Sequence, residues 1–255
     1  MPAAFQARFG QSANVYSSFR PEYPRQLFER IVAVLPADRR RRAVDLGAGT
    51  GKSTLPLLPY FDEVIAVEPD EQMAKEIRAR ESRVILHSTT GENETHPPAS
   101  VDLVVIAAAL HWMDALSVTA KAANWLRPRG ILAVCGGRFP LTPPPIREVV
   151  RREFDRHWNP FRDPRLNLTD SSEFAVRAIT GLALIEDSVV PNRIELAPEE
   201  FAGFCRSTSY GSAYARSITD PDIYWQELAA RFRKAWPTGK LSVDFDLWLV
   251  LARKD

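Results

Sequence analysis

The chain has 255 residues, of which 45% are hydrophobic and 25% charged, enough apolar material for a sizeable core and a composition that argues against disorder. Its 33 basic and 32 acidic side chains leave a formal net charge of +1, so no broad field favours a nucleic acid or an anionic membrane as partner. Cys135 and Cys205 stand outside any CxxC pair, and His87, His96, His111 and His157 lack metal-ligand spacing, which excludes a zinc or disulfide framework and leaves no metal expected.

In chain order, residues 1–25 are polar and aromatic, and the start MPAAFQARFG has no apolar core of the kind an export signal carries. Residues 26–35 place Leu27, Phe28, Ile31, Val32 and Leu35 at helical spacing, and Pro36 stops the helix. The four arginines 39–42 predict a solvated loop before a buried strand at 43–46. That strand runs into a glycine loop, from which 52–58 is predicted as a helix with Pro56 in its first turn. A second strand at 64–67 ends at Glu68, and Asp70 caps a helix through Arg80. Strands follow at 84–87 and 101–107, then a helix at 115–126 closed by Pro128 and Gly130, then a fifth strand at 131–134. The apolar run 101–110 is interrupted at Asp102 and too short to cross a bilayer, so a cytoplasmic protein is expected. Five short apolar strands alternating with helices predict an α/β fold, a doubly wound and mostly parallel sheet covered on both faces.

Beyond Pro143, Pro144 and Pro145 the pattern changes. Helices are predicted at 146–158, around 172–180, at 199–206 and at 222–236. Extended segments at 184–196, with Pro191 in or beside it, and at 242–251 are expected to return two strands to the sheet and make it seven-stranded. The helices between them are expected to form a lid over the strand ends.

The loop itself, AVDLGAGTG over 43–51, carries the chemistry. Gly47, Gly49 and Gly51 permit tight turning and close backbone approach to a ligand, and a helix N-terminus beyond them suits an anionic group. Glu68, at the end of the next strand, is placed to accept from both hydroxyls of a ribose. Three ligands compete for such a loop. A dinucleotide fingerprint needs a glycine where Lys52 stands, and a triphosphate loop needs one where Leu46 stands. S-adenosyl-L-methionine, with one charged amino-acid end and a ribose, suits GxGxG with Asp45 two residues ahead, the aspartate meeting the ammonium directly or through water.

The series AVDLGAGTGKST, VIAVEPDEQM, SVDLVVIAAALHWMD and LRPRGILAV resembles, in that order, the class I methyltransferases. With HWMD after the fourth strand and YSSFRPEYP near the N-terminus, it is similar to the trans-aconitate methyltransferase-like branch that acts on small molecules. The resemblance is strong over 14–137 and extends to 138–255 only as a general layout. It implies a Rossmann-like methyltransferase fold in a single domain over 1–255: N-terminal lid helices in 1–35, a cofactor-binding core in 40–140, and C-terminal strands with inserted substrate-lid helices in 141–255. It implies that Asp45, Gly47, Ala48 and Gly49 line the methionine end of the cofactor and that Glu68 holds its ribose. Pro69, Met73, Gly91 and Glu92 would lie near the adenine, Ala108 under the sulfonium, and Tyr16 and Arg20 in the N-terminal lid. Two departures stand out: Ala108 replaces a side chain that is often polar in the family, and Thr90-Gly91 replaces the usual acid before Glu92.

Methyl transfer needs an aligned nucleophile and the exclusion of water, and needs a base only where the acceptor must lose a proton. His111 is the candidate base, and Trp112 a candidate substrate contact through its aromatic face. Tyr16, Phe19 and Tyr23 are expected to close the opening, with Arg20 as a carboxylate partner for a small acidic acceptor. A binding protein without catalysis and an oxidoreductase on the same architecture remain as alternatives, the second disfavoured by the missing third glycine.

Overall fold

A computed structural model describes residues 13–255; residues 1–12 of the expected lid lie outside them. Two helices, α1 (Ala13–Phe19) and α2 (Arg25–Ala33), precede β1 (Arg42–Leu46), β2 (Glu63–Val67), α3 (Glu71–Arg80), β3 (Ile85–His87), β4 (Val101–Ala107), α4 (Ala115–Trp125) and β5 (Leu126–Gly136). Along the central strands neighbouring side chains go to opposite faces. Leu103, Val105, Ile131 and Ala133 join Leu27, Phe28 and Ile31 of α2 in one core. Val104, Ile106, Leu132 and Val134 join Val118, Ala122 and Trp125 in the other. Both faces are thereby covered, which is why these strands are continuous in apolar residues.

The chain then builds a helical layer: α5 (Pro144–Glu153), which passes into a π-helical turn at Phe154–Trp158, and α6 (Glu173–Ala178). After β6 (Ala183–Val190) and β7 (Arg193–Leu196) come α7 (Pro198–Ser207), α8 (Ser209–Ser217), α9 (Pro221–Ala235), β8 (Leu241–Asp244) and β9 (Leu247–Arg253). The sheet has seven strands in the order β3-β2-β1-β4-β5-β9-β6. Strands β1 to β5 are parallel, and β9 runs antiparallel to both β5 and β6. The order reverses at β1 and β4, the point where open α/β sheets bind ligands beyond their strand ends.

Several expected elements differ. Residues 52–58 form turns with a short 3-10 segment at Leu55–Leu57 in place of an α-helix. Pro56 and Pro59 lack the amides that an i→i−4 ladder needs, and the amides of Leu57, Leu58 and Tyr60 bond three residues back. The extended segment 184–196 divides at Pro191 into β6, on the sheet edge, and β7, which pairs with β8 in a separate ribbon. The segment 242–251 divides likewise, between β8 and β9. Strand β5 starts at Leu126, and Pro128 and Gly130 fall within it, where the β4–β5 register shifts.

The arginine run is not simply solvated. Arg42 lies in β1 and pairs with Glu63 at 2.6 Å, while the amides of Arg41 and Arg42 donate to Asp102, which is fully buried at the start of β4. Asp102 thus fixes the register of β1 against β4 at the end of the sheet away from the glycine loop. Among the described residues no helix is long and apolar enough to cross a membrane.

Candidate active site

The loop after β1 owes its path to its glycines. Gly47 adopts φ 75°, and a Cβ there would stand 2.6 Å from Cβ of Ala109 and 3.0 Å from Cε of Met113. Gly47 therefore permits both a left-handed turn and contact with the loop after β4. Gly49, at φ 58°, faces open space, where a ligand can approach backbone. Beneath the loop, Asp45 is fully buried, and its Oδ2 accepts from the hydroxyls of Ser53 at 2.7 Å and Thr54 at 2.6 Å. Its other oxygen, Oδ1, is buried with no partner, as is Oγ1 of Thr50. Burial raises the Asp45 carboxyl to about 6, against the lowering effect of the two hydroxyls.

An open cleft of about 890 Å³ lies above the loop, walled by the ends of β1, β2 and β4. Glu68 forms one wall. Its Oε2 accepts from the amide of Gly49 and its Oε1 from the amide of Asp70, each at 2.8 Å, so one carboxylate ties the two loops together. Desolvation raises its pKa to about 7, only partly offset by the two amides. Each oxygen keeps a lone pair for a hydroxyl. Opposite stands Ala108, exposed at the end of β4 with φ 50° and held by its amide to the carbonyl of Cys135 at 2.8 Å. A positive φ in a non-glycine residue is strained, and here it turns the chain sharply at the cleft.

Of the residues expected at the site, Gly47, Ala48, Gly49, Glu68, Pro69, Met73, Gly91, Ala108, Tyr16 and Trp112 line this cleft. Asp45, Glu92, His111 and Arg20 do not. Asp45 lies behind Ser53 and Thr54 and acts first on the loop. Glu92 caps the next helix entry, accepting from the amide of Asp114 at 3.0 Å, with Oε2 buried and unpartnered. His111 sits in a 3-10 turn, buried against Trp112 at 4.5 Å between ring centroids. Burial, with Arg165 adding to it, lowers its pKa to about 4, so it is neutral but weakly basic and off the cleft wall. Arg20 opens onto a neighbouring cavity, its guanidinium over the ring of Phe204.

Sequence reasoning missed Lys52, Thr50, Ser53 and Met113 as cleft residues. Thr50 and Ser53 were accessible from position, being inside or next to the glycine loop. Lys52 occupies the place of a third glycine, and its buried side chain reaches Glu22 of the N-terminal segment at 2.6 Å. Tyr23 also lines the cleft, whereas Phe19 packs where Gly203 leaves room for its ring.

A doubly wound sheet of this order, with a glycine loop after its first strand and an acid at the end of the second, is the frame of the class I methyltransferases. Residues 44–134 match the family described as a methyltransferase domain. A Dictyostelium discoideum protein assigned as a methyltransferase is 25% identical over 270 residues, covering 100% of this chain and 97% of its own. A trans-aconitate 2-methyltransferase of Mycobacterium ulcerans is 27% identical over 221 residues, 83% of this chain and 74% of that one. Other curated relatives, 38% identical over 126 residues, are matched over about half of their length. A solved structure from Anaeromyxobacter dehalogenans, assigned as a type II methyltransferase, superposes with a TM-score of 0.73 at 27% identity, covering 92% of this chain and 97% of that one. The domain match, the relatives and the solved structure together support a class I S-adenosylmethionine-dependent methyltransferase.

Proposed function

We propose that the cleft binds S-adenosyl-L-methionine and that the chain methylates a small-molecule acceptor, with carboxylic acids as the first class to test. The observation that carries the reading is Glu68: a buried carboxylate, fixed by two backbone amides, left with a free lone pair on each oxygen at the wall of the cleft. A ribose supplies two hydroxyl donors at that spacing. The rest of the lining fits the same ligand. Gly49 faces open space where the amino-acid end approaches backbone, Asp45 Oδ1 and Thr50 Oγ1 are orphaned below it, and Pro69 and Met73 offer apolar surface to a base. When bound, the cofactor supplies an electrophilic methyl group.

The chain's own residues would do the rest. Ala108, with no side-chain bulk beyond Cβ, leaves the end of β4 open for the acceptor atom. Tyr16, Tyr23 and the Lys52–Glu22 pair, which line the chamber beside the cleft, would cover the bound ligands and exclude water. An acceptor that is already an anion needs no base, in keeping with a His111 held off the cleft wall. The name of the Mycobacterium ulcerans relative supports an acidic acceptor, and the near-zero net charge supports a small molecule over a nucleic acid.

Calorimetry tests the first half. S-adenosylmethionine and S-adenosylhomocysteine are expected to bind, with NADH and ATP roughly tenfold weaker or more. Equal or tighter binding of NADH would sink the reading. Incubation of labelled cofactor with metabolite extracts, followed by mass identification of the labelled product, tests the second half; label found only in tRNA or protein would overturn it.

A further inference from the structure

The cofactor cleft does not end at Ala108. A second chamber of about 600 Å³ shares Ala108, Tyr16, Tyr23 and Lys52 with the cleft and continues along the end of β5 to Arg138. A third cavity of about 540 Å³ shares Arg20, Gly137, Arg138 and Phe204 with that chamber. Cleft, chamber and cavity therefore run in series from the end of β4 to the end of β5 and under the helical layer.

The far cavity has an unusual charge. Arg20, Arg138 and Arg162 line it together with one carboxylate, Asp170. Among the described residues none of the three guanidiniums is joined to a carboxylate in an ion pair. Their other partners are weak or few. Arg20 lies over the rings of Phe204 and Tyr16, at 5.0 and 5.3 Å, and reaches the carbonyl of Ser207 only at 3.4 Å. Its Nε is buried without any hydrogen-bond partner. Arg162 donates to the side-chain oxygen of Asn167. Arg138 is exposed and has no partner among the described residues. Ser209 and Tyr210, the first residues of α8, also line the cavity, and the first amides of a helix have no acceptor within it. Thr208 already caps the amide of Gly211, at 3.0 Å.

An excess of two positive charges, an orphaned guanidinium nitrogen and a helix N-terminus around one half-open cavity suit an oxyanion of charge −2. We infer that the acceptor carries, at the end remote from the atom that takes the methyl group, two negative charges held by Arg20, Arg138 and Arg162: a phosphomonoester or a pair of carboxylates. This specifies the acceptor of the reading above and rests on it for the order of the chambers, but the anion site is measurable by itself.

The test is titration calorimetry at constant ionic strength with inorganic phosphate, malonate and acetate, on the wild type and on the double variant Arg138→Gln/Arg162→Gln, with S-adenosylhomocysteine titrated separately. The wild type is expected to bind at least one dianion about tenfold tighter than acetate, and the variant to weaken that dianion by about tenfold or more while changing S-adenosylhomocysteine by less than about threefold. Malonate tighter than phosphate assigns a dicarboxylate; the reverse assigns a phosphomonoester. Acetate binding as tightly as both dianions in the wild type overturns the inference, whatever the variant does. So does a well-folded variant that binds the preferred dianion unchanged. Failure of S-adenosylhomocysteine to bind either protein, with dianion selectivity intact, would instead defeat the cofactor reading alone.

Discussion

Glu68 concentrates the physics of the site in one side chain. Burial lifts its carboxyl from 4.5 to about 7, because taking a carboxylate out of water costs more than two amides return. The sign follows. A raised acid pKa means that the free protein loses stability as pH rises from about 4.5 through 7, as Glu68 is forced to ionise in place. Under the proposed function, ribose hydroxyls would donate to the ionised form and favour it. Cofactor affinity should therefore rise with pH, be about tenfold weaker at pH 6 than at pH 8, and level off above that. Glu68→Gln should flatten this dependence, and Glu68→Ala should weaken binding by about 1.5–3 kcal/mol without unfolding the protein. Titration of S-adenosylhomocysteine at several pH values reads both. A wild-type affinity that is flat from pH 6 to 8 would show that the ribose is held elsewhere. Asp45, raised to about 6, titrates lower and faces Ser53 and Thr54, so the glutamine variant separates the two carboxyls.

At the scale of elements, the N-terminal helices are fastened at both ends of their shared segment. Phe19 of α1 fills the space left by Gly203 on α7, and Arg30 of α2 donates to the carbonyl of Val189 on β6, capping part of an edge strand. Between them, Glu22 holds the buried ammonium of Lys52. Lys52 borders both the first cleft and the chamber beside it, so under the proposed function this pair would act as a clasp across the opening. A pair with one exposed partner is worth about 1 kcal/mol. Glu22→Ala should thus speed release of S-adenosylhomocysteine by roughly fivefold while leaving the thermal midpoint within about 2 °C. Stopped-flow displacement measures it, and an unchanged release rate would show that the segment does not gate the cleft. These contacts also mark how far the sequence could be followed. The glycine loop and Glu68 were legible because their chemistry is local to one strand-turn unit. Lys52 was legible only as the absence of a glycine, since its partner lies in another element. The 3-10 turn at Leu55–Leu57 was hidden because Pro56 is compatible with a helix start and only its combination with Pro59 breaks the ladder. Pro191 was visible, but not that the strands on its two sides join different sheets. Arg138 follows two glycines at a strand end, and nothing local says which helix will roof it.

The whole molecule raises the question of whether the helical layer is a domain of its own. It has its own apolar cluster, with Trp158, Phe201, Trp225 and Phe232 at its centre. Its connections argue for one cooperative unit. The chain leaves the sheet after β5, returns as the edge strand β6, leaves again, and returns as β9 between β5 and β6. Trp248 of β9 packs over Gly136, where a Cβ would stand 2.4 Å from its ring, and its Nε1 donates to the carbonyl of Thr169 in the layer at 2.9 Å. Leu249 and Leu251 enter one core of the sheet and Val250 the other. The last strand therefore closes both faces of the sheet and also touches the roof. Leu251, fully buried, provides the test. Leu251→Ala should cost about 2–5 kcal/mol by leaving a cavity in the sheet core. If sheet and layer unfold together, hydrogen exchange under native conditions should accelerate by a common factor, roughly thirtyfold or more, in the most protected amides of both β5 and α9. If acceleration is confined to the sheet and α9 keeps its protection, the helical layer is a separate folding unit. The acceptor cavity would then lie at a boundary between two bodies, and closure over the substrate would be a docking of one upon the other.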